Sequence, residues 1–192
     1  MRSSPQAFSR AHVMARGLWG LTWALLFRPS PRWPGFWAWR RLLLRLFGAR
    51  VGQGAMVYPS ARIWAPWNLT LGKRCRIGPD CDVYSVDSIV LEEGAWVSQY
   101  SYLCSASHDP RLPGRPLISG PILIGKEAWV AADVFIGPGV NIGAHAVVGA
   151  RASIFKAVEA WTIVAGNPAR VIGNSRRRTP APHLPRPAAS SR

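Results

Sequence analysis

The chain carries four histidines, His12, His108, His145 and His183, and histidine is the side chain whose ordinary titration lies nearest neutral pH. His108 opens a segment unlike its surroundings, HDPRLPGRPLISGP over 108–121, with three prolines before residue 117 and two glycines. An imidazole at the mouth of such a loop suits general-base work, taking the proton of a hydroxyl as its oxygen attacks an electrophilic carbon. Asp109 is adjacent, but neighbours along an extended strand point to opposite sides, so its carboxylate is expected to hold the loop. Cys104 and Ser107 are nucleophile types, yet neither sits in a Gly-x-Ser-x-Gly setting. Upstream, Asp80, Asp82, Tyr84, Ser85 and Asp87 gather carboxylates and hydroxyls able to bind sugar hydroxyls or orient an imidazole. For Asp87, a corner aspartate satisfied by its own backbone is an equal alternative. A catalytic zinc generally takes three protein ligands, and the periodic part of the chain offers only His108 and His145, so no metal is expected.

The elements that position these groups are written in a six-residue repeat. Aliphatic residues recur at Val51, Val57, Ile63 and Leu69, then at Leu71, Ile77, Val83 and Ile89 after a two-residue slip. A second slip leads to Leu91, Val97 and Leu103, and after the 108–121 segment come Ile124, Val130, Ile136, Ile142, Val148 and Ile154. Helices repeat near 3.6 residues and strands near two, so a sustained period of six is neither. It predicts a coil of short strands, three to a turn and about six turns in all, with each aliphatic stacked on its equivalent one turn away. Glycine often follows the aliphatic, as at Gly52, Gly72, Gly78, Gly125, Gly137, Gly143 and Gly149, which predicts a tight corner. Cys75 and Cys81 fall on the small-residue place of the repeat and are expected to pack there. His145 falls one place earlier, at the fourth place of the hexad that begins at Ile142, and is expected to face solvent or another subunit. Three cysteines make no disulfide framework and favour a reducing compartment.

Charge is distributed unevenly. Residues 1–50 hold nine Arg and no acid, residues 170–192 hold six Arg and no acid, and 51–169 nets to zero. A nucleic-acid-binding domain concentrates cations on its folded body, so a neutral body with basic ends argues against that partner. It fits ends that meet phosphates, of lipid headgroups or of a ligand, or a compositional preference for Arg in tolerant tails. Within the first segment, RGLWGLTWALLF over 16–27 is too short to span a bilayer, prolines 29, 31 and 34 follow, and FWAWRRLLLRLF over 36–47 reads as a helix. Five of the ten Trp lie before residue 40. Trp and Arg on short apolar helices suit a membrane interface; the same residues equally suit a cap buried against one end of the coil.

These features together resemble the hexapeptide-repeat acyltransferases, and more closely the colanic-acid-biosynthesis-type O-acetyltransferases of exopolysaccharide clusters. The resemblance rests on LLFRPSPR (25–32), LLLRLFGARVG (42–52), VSQYSYLCSASHD (97–109), AWVAADVFIGPGVNIGAHAVVGARASIFK (128–156) and VAGNPARVI (164–172). It implies an all-β left-handed parallel β-helix with an N-terminal helical segment, working as a homotrimer with acetyl-CoA as co-substrate. It implies His108 as the general base. It also implies Ala132 and Ala150 on the pantetheine arm, Trp129 beside the groove, Lys156 and Arg170 near the phosphates, and Asn167 with Pro168 in the turn that ends the coil. The family's further basic residue three places after Arg170 is here Gly173. The acceptor pocket, placed by the resemblance between His108 of one subunit and early turns of the next, draws on Asp82, Ser85 and Asp87.

The expected organisation is a basic, Trp-rich helical segment over 1–50, a β-helix over 51–173 with a loop at 109–121, and a basic, Pro-rich, disordered tail over 174–192. The expected activity is acetyl transfer to a sugar hydroxyl of an exopolysaccharide or its lipid-linked repeat unit. The place is cytoplasmic, peripheral at the inner face of the membrane and in contact with anionic lipid. Two alternatives stand beside it: O-acetylation of a small sugar or antibiotic, and a non-catalytic, membrane-associated scaffold for polysaccharide assembly.

Overall fold

The six-residue period becomes three flat faces of stacked parallel strands in a computed structural model that describes residues 2–3 and 8–176. Most strands are only two or three residues long, too short to be stable singly, and their stability comes from stacking. Two faces are five-stranded sheets and the third has seven strands. Val51, Leu71, Leu91, Ile124 and Ile142 form one inward column, and Ile63, Val83, Leu103, Ile136 and Ile154 another. The third column runs Val57, Ile77, Val97, Val130, Val148 and Val164. All are buried, each contributing about 1.5–3 kcal/mol of hydrophobic burial.

The two slips have a simple physical meaning. Leu69–Leu71 and Ile89–Leu91 are three-residue strands whose first and third side chains both point inward. Ile122–Ile124 repeats the arrangement on the next turn, so Leu69, Ile89 and Ile122 add a fourth column along one corner. The corner glycines act by absence of bulk, not by left-handed backbone. A Cβ on Gly72 would lie 2.6 Å from the amide nitrogen of Glu93 in the next turn. The left-handed residues come two positions later, at Arg74 (φ 57°), Gly94 (φ 72°) and His145 (φ 59°). Cys75 and Cys81 are buried free thiols inside the coil, in the packing places expected of them.

At the amino-terminal end, helix α1 (Arg10–Thr22) continues through a π-helical turn (Trp23–Phe27), and helix α2 follows (Pro34–Leu46). The Ser9 hydroxyl caps α1 by accepting from the His12 amide, and Pro34 begins α2 where a missing N–H costs nothing. The first turn of the coil has no turn beneath it, and five of its carbonyls accept from these helices instead. Arg45 donates to Val51, Arg41 to Ala55, Arg40 to Val57, Trp23 to Ala61 and Trp19 to Ile63. Trp19, Trp23, Arg40, Arg41 and Arg45 therefore cap the coil. Among the described residues no helix is long and apolar enough to cross a membrane. At the other end, Thr162–Ala165 pairs with an antiparallel strand Arg170–Asn174, one residue past the expected boundary. Residues 177–192, including His183 and most of the expected tail, lie outside the described residues.

Candidate active site

Among the described residues, one hairpin leaves the coil's faces between turns, and it carries His108. Strand Ala106–His108 pairs antiparallel with Leu117–Ser119, so the expected loop returns as regular structure, with His108 opposite Leu117. Arg2–Ser3 adds a third strand against Leu117–Ser119. The hairpin is held at its base by the Gly120 amide donating to Ser105 and the Ile122 amide donating to Ser88. Nearer its tip, the Asp109 amide donates to Pro116, and the Asp109 carboxylate accepts from the Arg111 amide at 2.9 Å. Asp109 thus braces the loop.

His108 is exposed, and its Nδ1 lies 2.6 Å from the carbonyl oxygen of Arg115. A carbonyl only accepts, so Nδ1 carries the proton and donates. That leaves the Nε2 lone pair free at the surface, the tautomer a general base requires. Arg115 holds its carbonyl there with a left-handed backbone, φ 44°. Nothing in the residue type of Arg115 signals this role, because the contact is made by backbone.

The three residues expected on the acceptor side have three different surroundings. Asp82 pairs with Arg62, Oδ2 accepting from the guanidinium at 3.0 and 3.1 Å. It borders a groove of about 300 Å³ between α1 and the coil, lined also by Arg16, Trp23, Trp64, Tyr84 and Tyr102. Ser85 is fully buried, and its hydroxyl donates to the carbonyl of Ala65 and accepts from the amide of the same residue. It presents no atom to a ligand; the hydroxyl is consumed in closing a corner. Asp87 accepts from the Ser88 amide at 2.7 Å and from the Ser119 hydroxyl at 3.0 Å, which ties it to the strand opposite Ala106.

On the cofactor side, Lys156 and Arg170 come together. Both line one cleft of about 280 Å³ with Phe155, Pro168 and Ala169, at the point where the coil ends. Two exposed cations at a small cleft fit a phosphorylated ligand. Asn167 is exposed beside it and joined to Pro168 by a cis peptide bond. Ala132 and Ala150 occupy equivalent corners of successive turns, where the Arg151 amide donates to the Ala132 carbonyl. Ala132 is partly exposed and Ala150 exposed, so both corners are small and open to the surface.

Trp129 stands apart from that cleft. Its Nε1 donates to the Ser98 hydroxyl at 3.0 Å, and it borders an open cleft of about 810 Å³ with Glu127, His145, Trp161 and Arg176. His145 is half-buried there, stacked on Trp161 at 4.0 Å with Nδ1 3.7 Å from Glu127. Its pairing with Trp161 has no sequence signal, because Trp161 lies beyond the last hexad. A ladder of rings on one outer face, Trp64, Tyr84, Tyr102, Phe135 and Phe155, also goes unread in the sequence. Its signal is an aromatic residue immediately beside each inward aliphatic of one column. Among the described residues no group of three or more His, Cys, Asp or Glu gathers to hold a metal ion.

The cleft holding Lys156 and Arg170 does not include His108, so within one chain the basic cleft and the imidazole do not share a cavity. The chain is 41% identical over 170 residues to the colanic acid biosynthesis acetyltransferase WcaF of Escherichia coli (strain K12), covering 88% of this chain and 92% of the relative. It is 30% identical over 139 residues to the galactoside O-acetyltransferase of the same organism, covering 69% of this chain and 67% of the relative. Among solved structures, a hexapeptide-repeat acetyltransferase of Vibrio cholerae in complex with acetyl coenzyme A matches with a TM-score of 0.80 at 22% identity, covering 90% of this chain and 93% of that one. No protein-family model matches the sequence. The fold, the extent of the match and its identity give one conclusion: the chain belongs to the hexapeptide-repeat acetyltransferases, acetyl-CoA-dependent enzymes of the left-handed parallel β-helix, within the family of the colanic acid biosynthesis acetyltransferases.

Proposed function

We propose that this enzyme transfers acetyl from acetyl-CoA to a sugar hydroxyl of an exopolysaccharide or its lipid-linked repeat unit, directly and with His108 as general base. The observation that carries the reading is the Nδ1 contact of His108 with the Arg115 carbonyl, which leaves Nε2 to accept a proton. In the reaction, Nε2 takes the hydroxyl proton as the sugar oxygen bonds to the thioester carbonyl carbon. The carbon–sulfur bond then breaks, and the leaving thiolate takes up the proton from the imidazolium, so charge and atoms balance without a covalent enzyme intermediate.

Lys156 and Arg170 are assigned to the CoA phosphates, Ala132 and Ala150 to the pantetheine arm, Trp129 to the groove wall and Asn167 to the closing turn. Asp82 is assigned to the acceptor side. Asp87 serves the same side through the hairpin; Ser85, with its hydroxyl saturated, is left out. A homotrimer completes the site, because basic cleft and imidazole occupy separate places on one chain. A lipid-linked acceptor implies work at the inner face of the cytoplasmic membrane, with peripheral contact to anionic lipid.

The test is thiol release from acetyl-CoA in the presence of an oligosaccharide prepared from the host's exopolysaccharide, alongside mass spectrometry of that polymer from cells with and without the protein. The reading requires an acetyl group present only when the protein is. It also requires His108→Ala to lower turnover about 10²–10⁴-fold. Wild-type turnover in that variant ends the base assignment, and an unchanged polymer ends the acceptor assignment.

A further inference from the structure

The helices that cap the coil have a second face. Met14, Leu18, Leu21 and Leu25 follow one another at spacings of 4, 3 and 4 residues along α1 and its π-helical turn. They are 74, 60, 58 and 63% exposed, and Val13 beside them is 58% exposed. Trp19, Trp23 and Phe27 lie on the opposite side, turned to the coil. On α2, Arg40, Leu43 and Leu44 are buried, while Leu42, Leu46 and the flanking Trp33 are exposed. An apolar stripe on α1 thus points away from the coil, α2 carries exposed apolar residues of its own, and Trp19, Trp23, Arg40, Arg41 and Arg45 are taken up by the cap.

Charge indicates what covers this stripe. Arg10 and Arg28 stand exposed at either end of it, and Arg32 follows. Residues 1–50 contain no Asp or Glu, and among the described residues none of the ion pairs involves this segment. An apolar stripe bracketed by exposed guanidiniums that have no carboxylate partner among the described residues complements an anionic lipid surface, with aliphatic groups entering the acyl boundary and Arg meeting phosphate. A protein partner of matching chemistry would have to bring both an apolar strip and acids, and this chain's own body, netting to zero charge, has no acidic excess to bring.

We propose that the Val13–Leu25 stripe of α1, with Leu42 and Leu46 of α2, is a membrane-docking surface for anionic phospholipid, and that the coil stands on the bilayer through its own cap. This deepens, and rests on, the reading of a lipid-linked acceptor. It also differs from the sequence expectation in which residues carry the contact, which become Met and Leu in place of Trp.

The experiment measures co-sedimentation of the full chain with vesicles of phosphatidylcholine, alone and mixed with phosphatidylglycerol. It compares wild type with Met14→Ser/Leu18→Ser/Leu21→Ser/Leu25→Ser and, separately, with Arg10→Gln/Arg28→Gln. Mass in solution and CoA binding by calorimetry are recorded for each. The expected result is binding by wild type that needs the anionic lipid, at least about tenfold weaker binding by the four-serine variant, and weaker, less salt-sensitive binding by the Gln variant, with mass and CoA affinity unchanged. Absence of vesicle binding by wild type overturns the proposal, as does undiminished binding by the four-serine variant. A four-serine variant with lower mass makes the stripe a contact between copies and overturns it too. CoA affinity reads the enzyme assignment independently, so loss of lipid binding and loss of the proposed activity are told apart.

Discussion

The buried guanidinium of Arg40 donates from Nε to the carbonyl of Val57 at 2.8 Å, joining the second helix to the first turn of the coil. The same group donates to the Ser30 hydroxyl at 2.7 Å and the Pro31 carbonyl at 2.9 Å, and rests over the ring of Trp37. Parallel strands hydrogen-bond to the turn above, so a solenoid's lowest turn always exposes a row of carbonyls that invites another chain. Here five side chains from the two helices meet that row. Three of the nine Arg and two of the five Trp of the amino-terminal segment thus serve edge protection, and the residues facing outward remain for a partner.

Replacing Arg40 by Met keeps most of the packing volume and removes every donor. The Val57 and Pro31 carbonyls then lose this donor, while the Ser30 hydroxyl keeps its bond to the Phe27 carbonyl. Each unsatisfied buried group costs about 1–3 kcal/mol, so Arg40→Met is expected to lower unfolding free energy by about 2–5 kcal/mol. Denaturant titration followed by circular dichroism reads this directly. A loss below about 0.5 kcal/mol shows the cap to be dispensable to the coil.

Most of the coil is legible from spacing alone, because each inward aliphatic stacks on its equivalent and a period of six admits few other structures. Val51, Val57 and Ile63 announce their faces in this way. The slips are legible as interruptions but not as a fourth column, since Ile122 follows the hairpin and its kinship with Leu69 and Ile89 is hidden by the intervening residues. Glycine marks the corners by lack of bulk and not by positive φ: Gly72 makes room for the Glu93 backbone, whereas the left-handed conformation falls on Arg74. At the site, His108 and the basic pair Lys156 and Arg170 are legible by type and by resemblance. The brace on His108 is not, because a carbonyl belongs to every residue. Ser85 misleads for a related reason: a hydroxyl looks alike in sequence whether it faces a ligand or closes a corner on Ala65.

The cysteines give a prediction with a definite sign. Burial raises the Cys75 thiol from an ordinary 9.0 to about 11, backbone hydrogen bonds opposing it in part. Burial likewise raises Cys81 from 9.0 to about 12. The folded state therefore holds both protons more tightly than the unfolded chain. This contribution to stability is intact below pH 9 and is lost as pH rises toward 11 and 12. At pH 8 both thiols are expected to resist a disulfide-exchange reagent until denaturant is added, with unfolding free energy declining above pH 9. Rapid labelling of Cys75 or Cys81 in the native state contradicts their placement inside the coil.

Lys156 and Arg170 share a cleft, and each offers a charge-assisted contact to phosphate worth about 1–2 kcal/mol at an exposed site. Lys156→Gln and Arg170→Gln are each expected to raise KM for acetyl-CoA about five- to thirtyfold with kcat nearly unchanged. The wild-type KM should rise with salt, and the variants' less so. Initial rates over a range of acetyl-CoA concentration, at two ionic strengths, measure both effects. A fall in kcat at constant KM places these cations somewhere other than on the cofactor's phosphates.

Asp87 spans the base of the hairpin, one carboxylate oxygen on the Ser88 amide and the other on the Ser119 hydroxyl. Ser119 lies opposite Ala106, two residues before His108, so the carboxylate is bonded to the strand that pairs with the one carrying the imidazole. That geometry suits Asp87 to positioning the hairpin. Asp87→Asn weakens the charge-assisted pair and leaves the fold of the coil in place. The expected outcome is a fall in kcat of about tenfold, since a small displacement of a base is costly, with KM for acetyl-CoA and for the oligosaccharide acceptor both unchanged. Asp87→Glu, which restores the charge at a longer reach, should recover part of the loss. If instead KM for the acceptor rises while kcat holds, the Asp87 carboxylate contacts the sugar, and its bond to Ser119 is one that the acceptor displaces.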